Sequence, residues 1–241
     1  MTALLVAAAV IAGAGAIAGL AAADVRLGLI GLTASLVGAA LLADPLPTPA
    51  VLGVRLTAAL LAVVTLRAAT PAAAARHDGE RGWSGRVPGP RIGWPVELLL
   101  GAGGGAAGLA IASGLTTFAK VGDVGQQPAT IATTILGPTS LALAIAGLIL
   151  ATALGPMLMD RPGPRRAVAA VLLSQAAILV HEGLAPTPGV LDEVVLGALI
   201  VTVAAAGAML TAATMEVDRL AGLAGTGTHL ARPSEPHLRR P

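Results

Sequence analysis

The chain has 241 residues, 55% of them hydrophobic and 12% charged, with a formal net charge of +2 and a mean hydropathy of +0.83. A soluble domain carries about 25% charged residues, so the composition excludes a water-soluble globular protein and predicts an all-α, polytopic integral membrane protein. There is no cysteine, which excludes disulfides and thiolate-held iron–sulfur clusters; the high pI reflects arginine over lysine, not a nucleic-acid surface.

Seven apolar runs follow in chain order. The first, 4–23, has no Lys or Arg before it, so it reads as a retained helix and not as a signal peptide. Asp24 and Arg26 mark a short turn before the second run, 27–42. Asp44 and the Pro-rich stretch around Pro45, Pro47 and Pro49 break it, because proline lacks the N–H a helix needs. The third run, 51–66, holds a single charge, Arg55.

Residues 67–94 form the one long polar segment, with Arg67, Arg76, Arg81, Arg86 and Arg91 among several Gly and Pro. With almost nothing apolar to bury, it reads as a surface loop. The fourth run, 96–115, starts beside Glu97 and contains a Gly cluster from Gly101 to Gly108. That cluster lacks the G-K-[ST] ending of a phosphate loop and is expected to serve close helix packing. The fifth run, 129–154, follows a link with Lys120 and Asp123; Pro138 is expected to kink it and Pro156 to close it. The sixth and seventh runs, 167–184 and 194–215, make a helical hairpin with a basic foot at Arg165 and Arg166. Residues 221–241 read as a flexible tail, and 1–220 as a single transmembrane domain.

Seven crossings place the termini on opposite sides. With the N-terminus outside, the inner segments hold Arg26, the five arginines of 67–94, Arg161, Arg165, Arg166, Arg219, Arg232, Arg239 and Arg240. The outer links hold Lys120 alone. Cytoplasmic loops are enriched in Lys and Arg, so the split predicts a cytoplasmic loop at 67–94 and a cytoplasmic C-terminus.

Few residues can carry chemistry. Arg55 lies inside a span, where a charge costs roughly 2.5–3.5 kcal/mol on insertion scales. It either faces a polar path or a partner's carboxylate, or snorkels to the interface. Glu97 either stabilises a helix N-terminus or relays protons. Ser174 and Gln175 are the polar pair of the sixth run, able to bond across helices or line a hydrated path. His181, Glu182, Asp192 and Glu193 gather at the outer link of the hairpin. One histidine without ligand spacing makes a poor metal site, and the group reads as a wet loop with acidic helix starts. No nucleophile–base pair or nucleotide motif is present, so the chain offers no catalytic residues, no metal site and no cofactor. Arg55, Glu97, Ser174, Gln175 and Glu193 stand as candidates for an intramembrane polar path or a subunit contact.

The stretch MDRPGPRRAVAAVLLSQAAILV, from Met159, resembles the basic turn and second helix of subunit K of respiratory complex I, and LGALIVTVAAAGAMLTAA, from Leu196, resembles its third helix. The exit EVDRLAGLAGT, from Glu216, is similar to the polar tail of component E of hydrogenase-4 and formate hydrogenlyase. Arg55 falls where that component has a basic residue early in its third helix. The chain thus resembles the component E family, with 129–219 like subunit K and like the C subunit of multisubunit cation/proton antiporters.

The resemblance implies a membrane-arm subunit of a complex-I-like oxidoreductase in the bacterial cytoplasmic membrane. Its partners would be antiporter-like membrane subunits and a separate, cluster-binding redox arm. Subunit K carries buried glutamates in its second and third helices; here those positions fall at Ser174 or Ala176 and at Gly207, which do not titrate. A structural, non-catalytic subunit is therefore expected, with a standalone transporter or antiporter subunit as the alternative.

Overall fold

The structure, a computed structural model, describes residues 2–22, 25–42, 47–74, 94–121, 137–159, 163–184 and 189–229. Among them run seven helices and no strand: α1 (Thr2–Ala21), α2 (Val25–Ala40), α3 (Pro49–Ala74), α4 (Trp94–Val121), α5 (Pro138–Met159), α6 (Pro164–Leu184) and α7 (Val190–His229). Five contain stretches long and apolar enough to cross a membrane: Ala3–Ala21, Pro49–Ala69, Pro138–Leu158, Pro164–Leu184 and Val190–Thr214. Two shorter apolar helices, Val25–Ala40 and Leu98–Gly114, accompany them. A helix satisfies its own backbone hydrogen bonds, which is what a lipid environment demands of a spanning segment.

Local chemistry sets the helix starts. Pro49, Pro138 and Pro164 each occupy a first helical position, where the missing N–H would be unpaired anyway. The Val51 N–H donates to Thr48 Oγ1 at 3.5 Å, an N-cap for α3. At α7 the Gly189 N–H donates to Asp192 Oδ2 at 3.0 Å, the backward half of a capping box.

Three expectations need correction. Pro138, expected to kink the fifth run, opens α5, and Pro156 lies inside α5 instead of ending it. Residues 129–136 lie outside the described residues. Helix α3 continues through Arg67 to Ala74, past the last large apolar side chain and through Pro71. Helix α7 starts at Val190 and reaches His229, so the helical backbone takes in the first part of the expected tail. Residues 75–93 and 230–241 lie outside the described residues.

Small side chains set the tightest packing. Helices α1 and α2 run antiparallel in contact at Gly15, Gly19, Gly31 and Gly38. A Cβ on Gly38 would lie 2.6 Å from the Ala12 nitrogen, and one on Gly15 would lie 2.7 Å from the Gly31 oxygen. Helices α4 and α5 do the same through Gly104, Gly108 and Gly147, which gives the Gly cluster of the fourth run its packing role. Helices α2, α3, α6 and α7 enclose the centre, with α1 and α5 against α2 and α6 and with α4 against α5. Leu20, Leu32, Ile149, Leu172 and Leu179 are fully buried. Large apolar side chains also point outward, among them Val10, Ile30, Leu60, Leu99, Leu158 and Met209. Water would penalise such a surface, whereas lipid tails solvate it.

Candidate functional site

One guanidinium ties four helices together. Arg55 lies two turns into α3, roughly 9 Å from its start at 1.5 Å per residue. Its Nε donates to Glu193 Oε2 at 3.0 Å, and Nη2 donates to Glu193 Oε1, a two-pronged grip on a carboxylate of the first turn of α7. Nη2 also lies 3.0 Å from Glu182 Oε1, and Nη1 reaches Glu182 Oε2 at 3.5 Å, engaging the last turn of α6. Nη1 further donates to the Ala40 carbonyl, the last residue of α2, at 3.4 Å. Planar fork geometry of this kind is specific to arginine.

Helix ends explain why these groups gather. The links from α2 to α3 and from α6 to α7 are short, so the end of α2, the start of α3, the end of α6 and the start of α7 all lie at the same end of the bundle. The last carbonyls of a helix have no intrahelical donor and favour a cation, which suits Ala40 to Arg55. The N-terminus of α7 favours the Glu193 anion, whereas the C-terminus of α6 disfavours an anion at Glu182. The three side chains are nearly enclosed, at 10% exposure for Arg55, 11% for Glu182 and 2% for Glu193.

A cavity of about 30 Å3 borders the clamp, walled by Leu36, Ala39, Gln175, Ile178 and Leu196 together with the three charged residues. Its size suits about two water molecules. Gln175 is buried at its wall. Ser174, one residue away, does not join it: its hydroxyl donates to the Ala170 carbonyl at 3.0 Å, one turn back on its own helix. Replacing Ser174 by alanine removes only this local bond, so its effect on stability should stay within about 0.5 kcal/mol. A thermal melt of Ser174→Ala in detergent checks this.

The sequence candidates thus divide. Arg55 and Glu193 meet directly, Gln175 borders them, Ser174 is turned onto its own helix, and Glu97 belongs to α4, which packs on α5 and α1. The side chain of Glu97 lies outside the described residues. Arg55 is paired with two acids. The expected loop group lies on helix ends instead: His181 and Asp192 are exposed on α6 and α7, whereas Glu182 and Glu193 are turned to Arg55. Glu182 and the Ala40 carbonyl were missed as partners. The available signal was topological: an arginine inside an apolar run needs a counter-charge at that depth, and the α6–α7 hairpin brings acids to that end of the bundle.

The chain was compared with models of protein families, with curated proteins and with solved structures, and no match was found in any of the three.

Proposed function

We propose that this chain is a non-catalytic, structural subunit of a larger membrane assembly, of the complex-I-like, hydrogenase-4 type that residues 159–226 resemble. The observation that carries the structural role is the clamp: the buried cation of α3 is spent on holding α2, α3, α6 and α7 in one arrangement. The adjoining cavity, about 30 Å3, is far below the roughly 300–1,000 Å3 of a small-molecule site, which favours a scaffold over a solute carrier. Orientation follows from the arginine distribution, with the N-terminus outside and 67–94 in the cytoplasm of a bacterial cell. The partners are antiporter-like membrane chains and a cluster-binding redox arm.

Affinity purification from native membranes in a mild detergent tests this reading. Antiporter-like and cluster-binding chains should co-purify; a monodisperse, heat-stable protein without partners would count against it and favour the standalone transporter. Orientation has its own test. A Ser84→Cys chain, in a sequence that has no other thiol, should react with an impermeant maleimide only after the cells are opened. Labelling in intact cells would reverse the assignment.

A further inference from the structure

The two halves of the bundle repeat one another. At a fixed spacing of 139 positions, Pro47-Thr48-Pro49 matches Pro186-Thr187-Pro188, and Val51-Leu52 matches Val190-Leu191. The same spacing carries Arg26 onto Arg165, Ser35 onto Ser174, Ala59-Leu60 onto Ala198-Leu199, Val64 onto Val203 and Ala69 onto Ala208, with no gap. It also carries the first residue of α2, Val25, onto the first residue of α6, Pro164, and superposes most of α1 on α5 and the start of α3 on that of α7. Apolar helices match by chance at Ala, Leu and Val, but the Pro-Thr-Pro-x-Val-Leu string and the shared helix starts lie outside that degeneracy.

The packing repeats as well. Helix α1 packs on α2 as α5 does on α6, and α2 on α3 as α6 does on α7; each helix also touches its own counterpart, α1 with α5, α2 with α6 and α3 with α7. A translated copy would turn equal positions the same way, whereas a two-fold axis turns them toward each other. Residue pairs locate that axis. A Cβ on Gly197 would lie 3.1 Å from the Cβ of Ala58, its own counterpart. The cavity beside the clamp is walled by the counterpart pairs Leu36 and Gln175, Ala39 and Ile178, and Ala58 and Gly197. A second, smaller cavity is walled by Val25 and Pro164, Leu29 and Val168, and Ala69 and Ala208. The pairs mark two points near opposite ends of the four central helices, so the axis runs along the bundle. Each residue lies four helices along the chain from its counterpart, an even number, so the copies cross in the same direction.

We infer that α1–α3 and α5–α7 are two copies of one three-helix unit, and that the α2–α3 face of each is a self-recognition surface whose fitting partner is another copy of the same unit. The copies have diverged at their rims. The glycine seam of α1 and α2 is not repeated, since Gly15, Gly31 and Gly38 correspond to Leu154, Ala170 and Ala177, and α4 packs on the side of α5 with no counterpart among the described residues. Charge has diverged too. Arg55 corresponds to Val194, Glu193 to Val54 and Glu182 to Ala43, so one copy supplies the cation and the other both acids. The clamp makes the pairing one of unlike copies, where two identical copies would place arginine against valine. The inference is independent of whether the chain is a subunit or a carrier.

Moving the clamp across the axis tests it in the full chain. Arg55→Val, Glu182→Ala and Glu193→Val together remove the clamp; adding Val54→Glu and Val194→Arg rebuilds its main pair at the counterpart positions. The rebuilt chain should recover at least half of any melting-temperature change between wild type and the clampless chain, or, if the clampless chain does not lose stability, should melt no lower than it. A rebuilt chain melting below the clampless one overturns the inference, because without the axis the guanidinium brought in by Val194→Arg has no acid within reach. Cross-linking decides the matter if a variant fails to accumulate. Ala58→Cys with Gly197→Cys should close an intrachain disulfide on mild oxidation, and Ala69→Cys with Ala208→Cys should be bridged by a short bis-maleimide. Failure of either pair beside cross-linking of the displaced pair Ala58→Cys with Val201→Cys overturns it equally.

Discussion

Arg55→Met should destabilise the bundle by about 3–5 kcal/mol, the usual cost of removing one partner from a buried ion pair. Three features push the value to the upper part of that range. Glu182 and Glu193 both lose their counter-charge, the Ala40 carbonyl loses its donor, and both carboxylates are nearly enclosed. The cost arises from stranded acids and not from a large net gain in the intact clamp. Arg55→Met combined with Glu182→Gln and Glu193→Leu should therefore be less damaging than Arg55→Met alone, since well-packed neutral replacements of a buried pair are often neutral. Arg55→Lys should fall between, because an ammonium keeps the charge but cannot grip Glu193 with two parallel bonds while reaching α2. Melting temperatures in detergent, with expression level checked, give the order: wild type, then Lys, then Met. If Arg55→Met melts with the wild type, the clamp contributes nothing and the structural role proposed for it fails.

Gly38→Val should cost up to about 3 kcal/mol, the upper part of the range for overpacking. A Cβ there would lie 2.6 Å from the Ala12 nitrogen and 2.8 Å from the Ala8 oxygen. Both are backbone atoms, so no side chain can swing away and the whole of α1 must move off α2. Small residues at such seams let backbones approach closely in membranes, where little else draws apolar helices together. The matched control is Gly53→Ala on α3, where an added Cβ meets nothing within 4 Å. That change should be neutral or should stabilise by up to about 1 kcal/mol, the helix-propensity difference between the two residues. A thermal or denaturant series on the two variants separates the effects; equal behaviour would mean that α1 and α2 are not in backbone contact.

Much of the architecture was legible in one dimension. Apolar runs, broken by Pro, Gly and charge, place the seven helices among the described residues, five of them long and apolar enough to cross a membrane. Where the reading slipped, at Pro138 and past Arg67, it treated proline as a breaker and the fall in hydropathy as an end. Proline fits the first turn, and an alanine-rich segment remains helical after its large side chains stop. Arg55 and Glu193 were identifiable as unusual because a charge in or beside an apolar run is expensive. What neither could reveal was direction. A helix turns its side chains through about 100° per residue, and on α6 only Gln175, seven residues before Glu182, hints at the side that meets Arg55. Whether Glu182 is a wet loop acid or a clamp partner depends on which helices stand beside α6. That neighbourhood is set by close packing of glycines and alanines across pairs far apart in the chain, Gly15 with Gly31, Gly104 with Gly147, Ala58 with Gly197, so only the tertiary structure decided it.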